Sequence, residues 1–275
     1  MGKQVIEFGR TANDYSRYRA GFPPSLFERL AAHGIGLAGQ QIVDLGTGTG
    51  TLARGFAARG CQVIGIDPDA AMLHAARELA ASTQLTIDFR VGRAEATALA
   101  AQSADVVSAG QCWHWFDRAA AAREVARILR PNGKVVIAHF DWLPLQGNVV
   151  AATEALIEEH NPAWRLGGGA GLYPQWLRDL GEAGFQEIVS FSYDMAVPYT
   201  HEAWRGRIRA SAGVGASLPP DAVQRFDEAL VALLQTMHPA PMMDIPHRIF
   251  AVIATSPEPG SGSNAKVVQQ TCSAV

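Results

Sequence analysis

The stretch Gln41-Ile42-Val43-Asp44-Leu45-Gly46-Thr47-Gly48-Thr49-Gly50 decides how this chain folds. Its first half is a short apolar run, its second half a glycine turn, and residues 52–59 resume helical spacing until Gly60. Strand, glycine turn and helix in that order open a βαβ unit. The glycines permit a tight turn and let a ligand come close to the backbone. A glycine trio alone is a weak signal, because a tight turn with nothing bound has the same composition.

Outward from that unit the alternation repeats. Upstream, residues 22–33 read as a proline-started helix that stops near His33-Gly34. Downstream, residues 62–67 read as a strand and 69–81 as an alanine-rich helix capped by Asp69. Strands at 86–91, 105–109 and 134–139 follow, with a helix at 118–129 ended by Arg130-Pro131-Asn132-Gly133. Strands alternating with helices predict a parallel sheet joined by right-handed crossovers. Past Phe140 the pattern changes to helices at 149–160 and 174–183, a strand at 185–191, helical spacing over 199–237 broken at 213–220, and a last strand at 248–254. The expected fold class is α/β, a doubly wound, mostly parallel, seven-stranded Rossmann-like sheet with a helical substrate cap.

Composition narrows the function. The chain has 275 residues, 48% apolar and 18% charged, which excludes disorder along most of its length. Twenty-three basic against 26 acidic residues give a formal charge of −3, with no basic run to neutralise phosphates, so nucleic acid is not the expected partner. Cys61, Cys112 and Cys272 lie far apart without a CxxC, and the eight histidines form no HxxxH, so neither a disulfide framework nor a metal site is expected. No secretory leader and no window of about 18 apolar residues is visible. Gly2 and the terminal Cys272-Ser273-Ala274-Val275 are poor lipidation motifs. The expectation is a cytoplasmic protein, monomer or homodimer, acting on a small molecule without membrane or metal.

The acids around the glycine turn choose the ligand class. The dinucleotide fingerprint is GxGxxG, but here the glycines stand at 46, 48 and 50 with Thr51 in the third slot. Asp44, at the strand end beside the loop, would repel a pyrophosphate yet can hydrogen-bond an ammonium. S-adenosylmethionine carries an ammonium and no phosphate. Asp67 ends the second strand 17 residues past Gly50, where doubly wound sheets place the acid that takes two ribose hydroxyls. The plainer alternative for Asp67 is a cap on the helix after Pro68.

These residues resemble a known family. Val43 to Gly50, followed by Val63-Ile64-Gly65-Ile66-Asp67-Pro68-Asp69-Ala70-Ala71-Met72-Leu73, is similar to motif I and the following acidic motif of class I S-adenosylmethionine-dependent methyltransferases. Within them, Ala109-Gly110-Gln111-Cys112-Trp113-His114-Trp115-Phe116-Asp117 resembles the small-molecule group that includes trans-aconitate methyltransferases and related natural-product enzymes. The segment of residues 10–23, with Tyr15, Tyr18 and Arg19, resembles their N-terminal segment.

The resemblance implies that Asp44 with Gly46, Thr47, Gly48 and Gly50 holds the methionine part and Asp67 with Pro68 the ribose. It further implies that Met72 packs on adenine, that Ala94 and Glu95 edge it, and that Tyr18, Arg19 and Gln111 complete the cofactor site. Many relatives carry an Asp where this chain has Gly92-Arg93, so the adenine amino group falls to Glu95 or to backbone. The domains so implied are a cofactor-binding core with N-terminal helices at 1–140, a cap insert and helix at 141–184, the remaining strands with a second helical insert at 185–255, and a flexible tail at 256–275.

Methyl transfer from a sulfonium is a direct displacement, so the chain must align a nucleophile and exclude water. A hydroxyl acceptor also needs a base. Ligands sit outside the carboxyl ends of parallel strands, which makes His114 and His139 the candidate catalytic residues by topology, with Asp141 beside His139 and with His201 and His247 more remote. The plain reading of His114, between two tryptophans, is a packed side chain.

Trp142, Trp164, Trp176, Trp204, Tyr173 and Tyr199 suggest an aromatic cap over an apolar acceptor, against ordinary helix packing. Arg205, Arg207 and Arg209 offer counter-charge for an anion, though alternate placement splays them. Gly167-Gly168-Gly169 reads as a hinge and Asn161-Pro162 as a helix stop. The competing functions are a methyltransferase for protein or RNA and a non-catalytic cofactor-binding regulator.

Overall fold

The computed structural model describes Tyr18 and residues 20–257. Arg19 and the tail beyond Pro257 lie outside the described residues. The strands are β1 (Gln41–Leu45), β2 (Gln62–Asp67), β3 (Asp88–Val91), β4 (Ala104–Gly110), β5 (Leu129–Trp142), β6 (Gln186–Thr200) and β7 (Met242–Thr255). They form one sheet in the order β3-β2-β1-β4-β5-β7-β6. The first five strands are parallel, and β7 runs antiparallel to both β5 and β6. This is the expected mostly parallel, seven-stranded α/β sheet.

Helices cover both faces, which is why the central strands are apolar on both sides. On one face α1 (Pro24–Ala32), α2 (Thr51–Ala57) and α3 (Ala70–Ser82) pack Leu26, Phe27, Phe56 and Leu73 onto Ile42 and Val106. On the other, α4 (Arg118–Ile128) and α6 (Gln175–Glu182) pack Val125, Ile128, Trp176 and Leu180 onto Val43, Leu45 and Val107. Chain order reverses between β1 and β4, so the loops leaving those two strands diverge and open a crevice at their carboxyl ends. The glycine turn lies in that crevice.

A third core stands beside the sheet, where α5 (Val149–His160), α7 (His201–Arg209) and α8 (Pro220–Met237) pack Ile157, Trp204, Phe226 and Leu230 against Tyr199, Met243 and Ile245. The ribbon β6–β7 carries this core, and here the structure corrects the sequence reading. β6 does not end at residue 191; it continues through Thr200, and the helix begins only at His201 with the Thr200 hydroxyl as its cap. Phe191, Tyr193, Met195 and Val197 extend the period-two face, and Pro198 is tolerated because β6 is the sheet edge. Among the described residues, no helix is long and apolar enough to cross a membrane.

Candidate active site at the carboxyl ends of the parallel strands

A cavity of about 1060 Å³ opens at the carboxyl ends of β1, β2, β4 and β5. At its β1 end, Gly46, Gly48 and Gly50 all adopt positive φ, at 59°, 54° and 79°. A Cβ on Gly46 would stand 2.8 Å from Cys112 Sγ, so the turn presses against the loop after β4 and side chains are excluded there. Asp44 is 2% exposed, and its two carboxylate oxygens accept from Ser108 Oγ and Thr47 Oγ1, each at 2.6 Å. Burial pushes its carboxyl up to about 6 despite those hydroxyls, and the neighbouring Asp67 acts in the same direction.

Asp67, at the end of β2, accepts the Gly48 N–H at 2.8 Å and the Asp69 N–H at 2.9 Å, which ties the glycine turn to the start of α3. Burial raises its carboxyl too. Asp69 caps α3 by accepting from Ala71 and Met72, and Met72 then faces the cavity beside Gly48. Asp67 and its neighbour thus divide the work: the helix cap is Asp69, and Asp67 is held in place by two amides on the cavity wall.

β4 contributes Gly110-Gln111-Cys112 and a short 3₁₀ turn, Trp113–Trp115. Gln111 takes φ 61° with its N–H on Ala138 O at 2.8 Å, an uncommon conformation for a side chain other than glycine and one that turns it into the cavity. Trp113 is buried with its Nε1 on Asp179, whereas His114 and Trp115 line the cavity.

β5 contributes His139, Asp141 and Trp142. His139 is 6% exposed, its Nδ1 lies 2.8 Å from Asp141 Oδ1 without the direction of a formed hydrogen bond, and its Nε2 has no hydrogen-bond partner. The Tyr173 hydroxyl donates to the other Asp141 oxygen, and its ring stacks on Trp176 at 4.2 Å and lies 4.6 Å from the His139 ring. Burial and the adjacent carboxylate drive the Tyr173 phenol far upward, so it stays a proton donor to Asp141. His114 approaches His139 to 5.3 Å between ring centroids.

On the far side, Glu154 of α5 is buried and accepts from Trp142 Nε1 at 2.6 Å and from the Gly168 N–H at 2.7 Å, fixing the Gly167–Gly169 segment over the cavity. Burial raises its carboxyl. Arg207 reaches in from α7 with its guanidinium 4.5 Å over the Trp142 ring.

The structure therefore brings Asp44, Gly46, Thr47, Gly48, Asp67, Pro68, Met72, Gln111, His114 and His139 to one cavity. It places the others elsewhere. Gly50 starts α2 against Phe89, Ala94 is buried in the second core, and Glu95 accepts the Asp117 N–H at 3.0 Å. Tyr18 points its hydroxyl to Glu202 and packs its ring on Gly206. His201 and His247 bond backbone carbonyls, and Trp176, Trp204 and Tyr199 serve core packing, so the aromatic wall is Trp142, Trp164 and Tyr173 with Trp115. Glu154 and the Asp141–Tyr173 link were missed, since each depends on partners distant in sequence.

The donor set fits the expected cofactor. Among the described residues, Asp44, Asp67 and Asp69 are the charged groups at the β1–β2 end of the cavity, and the lining arginines, Arg165 and Arg207, come from the insert after α5 and from α7. Carboxylates suit an ammonium and a pair of ribose hydroxyls and oppose a diphosphate.

Comparison with known proteins agrees. Residues 43–137 match the methyltransferase domain family, whose methyl donor is S-adenosylmethionine. An uncharacterized methyltransferase of Mycobacterium tuberculosis is 36% identical over 130 residues, 47% of this chain and 50% of that protein. The chain thus spans about half the length of such curated relatives. Among solved structures, a candidate type II methyltransferase from Anaeromyxobacter dehalogenans superposes with a TM-score of 0.61 at 21% identity, covering 87% of this chain and 98% of that one. A Haemonchus contortus phosphoethanolamine N-methyltransferase, solved with phosphomonomethylethanolamine and S-adenosylhomocysteine, gives 0.55 at 22% identity, covering 90% and 57%. These structural likenesses concern the fold.

Proposed function

We propose that the protein is an S-adenosylmethionine-dependent methyltransferase acting on an oxygen, nitrogen or carbon of a small molecule, in the manner of the natural-product enzymes its motifs resemble, in the cytoplasm. The observation that carries this reading is the β1–β2 end of the cavity, three carboxylates with no cation among the described residues. The small acceptor found in the Haemonchus structure supports the substrate class. The bound cofactor supplies an electrophilic methyl on a positively charged sulfur.

Asp44 would hold the ammonium and Asp67 the ribose hydroxyls, and Met72 would pack against the base. His139 acts at the other end. With a hydroxyl acceptor, His139 Nε2 would take the proton the hydroxyl gives up on receiving the methyl group that the cofactor would supply. Asp141, 2.8 Å from Nδ1, then balances the imidazolium, and Tyr173 holds that carboxylate in place. The aromatic wall keeps water from the sulfonium.

Incubation with S-adenosylmethionine and a panel of small acids, phenols and amines, followed by mass spectrometry, is expected to show a product heavier by one methylene. Cofactor binding with no product across the panel would leave a non-catalytic binding protein.

A further inference from the structure

Two buried polar side chains on the cavity wall carry atoms without a hydrogen bond. One is His139, at Nε2; the other is Ser211, 8% exposed, whose Oγ stands just past the end of α7. The backbone of Ser211 is fixed, its N–H on the Ile208 carbonyl and its own carbonyl accepting the Val214 N–H, so the hydroxyl alone is unsatisfied. A buried hydroxyl without a partner is destabilising, and one that lines a cavity is satisfied by a ligand that accepts its proton.

The charged groups at this end of the cavity are already engaged. Glu154 accepts from Trp142 and Gly168, and Asp141 accepts from Tyr173. Arg165 donates to the Pro162 and Trp164 carbonyls, and Arg207 lies over the Trp142 ring. Among the described residues, these two acids and two arginines balance formally, so this end calls for a ligand without net charge. The flat faces of Trp142, Trp164 and Tyr173 suit a planar body. An uncharged acceptor for the Ser211 proton that stays in the plane of an aromatic ring is a conjugated carbonyl.

We infer that the methyl acceptor is an uncharged hydroxyaryl ketone, its carbonyl oxygen on the Ser211 hydroxyl and its phenol facing His139 Nε2. Ser211 is then the residue that selects this acceptor. The phenol half of the assignment rests on the methyl-transfer reading above; the carbonyl half rests on Ser211 and its surroundings.

Calorimetry on the protein saturated with S-adenosylhomocysteine tests it. The probes are 4-hydroxyacetophenone and 6-hydroxy-1-tetralone, each against the analogue in which a methylidene group replaces the carbonyl oxygen, with 4-hydroxybenzoate as the charged comparison. At least one ketone is expected to bind about tenfold or more tighter than its methylidene analogue, the loss of one hydrogen bond, and tighter than 4-hydroxybenzoate. Ser211→Ala should bring the ketone and its analogue to within about twofold of each other. Without a ligand the same variant should melt no lower than the parent, because the hydroxyl it removes has no partner in the chain. The comparison in the parent chain stands as a test even if the variant does not fold. Equal binding of ketone and analogue, binding of neither, tighter binding of 4-hydroxybenzoate, a preference that survives Ser211→Ala, or a lower melting temperature in that variant overturns the inference. Any of these with S-adenosylhomocysteine still bound sinks this inference alone, whereas failure of S-adenosylhomocysteine to bind sinks the methyl-transfer reading with it.

Discussion

Asp44 is a carboxylate kept at a cost. Burial holds its folded pKa near 6, against 3.8 when exposed, so between those values the folded chain retains a proton that the unfolded chain has released. Stability therefore falls as pH rises from about 4 to 6 and stays lower above, by roughly 3 kcal/mol at about 1.4 kcal/mol per unit. Asp44→Asn removes the charge and keeps the shape, and either hydroxyl can rotate to accept from the amide. We expect the variant to melt higher than the parent at pH 8, with the gap closing near pH 4, and to lose cofactor affinity. A gap that does not change with pH would show that the charge is not what limits stability there.

His139 makes a second residue-level case. His139→Ala should lower kcat by roughly 10²–10⁴ with a hydroxyl acceptor while the Kd for S-adenosylhomocysteine stays within about twofold. Parallel losses in both would make His139 a packing residue. Of the two histidines named from sequence, topology brought both to the cavity, but only the structure could show that Asp141 and Tyr173 stand behind His139. Tyr173 is 32 residues from Asp141 in sequence, and nothing local announces the link.

Among elements, α2 shows how tightly the glycine turn is backed. Gly55 lies in its middle, where alanine would add helix propensity of about 1 kcal/mol. Yet a Cβ there would stand 2.0 Å from the Phe27 ring, which is buried edge-on against Phe56 and covered by Arg59. Overpacking of this kind costs about 1–3 kcal/mol, so Gly55→Ala is expected to lower the melting temperature. A higher melting temperature would mean that α1 shifts freely on α2.

The βα units were readable because period-two and helical spacing, glycine stops and caps all agree there, as at Asp69 and Asp117. The ribbon was only half readable. Residues 192–200 alternate faces, but Pro198 and the following helical spacing obscured the pattern, and what stabilises the ribbon is a core built by α5, α7 and α8 from elsewhere in the chain. The triple arginine in α7 illustrates the same limit, since spacing alone says they splay and only packing says which one faces the cavity.

At the scale of the whole molecule, a reversal of strand order between β1 and β4 opens the crevice, and the third core closes its far side with Trp164, Glu154 and Arg207. The sheet thus delivers acids to one end of a single cavity and an imidazole to the middle, while the helices deliver aromatic rings and a guanidinium to the other end. Ligand class is decided at the acidic end. The most direct measurement is calorimetric titration at pH 7.5 with S-adenosylhomocysteine and, separately, with NADH. One-to-one uptake of the former is expected, weakened in Asp67→Ala by roughly 1.5–3 kcal/mol, with no heat from the latter. Uptake of NADH with none of S-adenosylhomocysteine would contradict it.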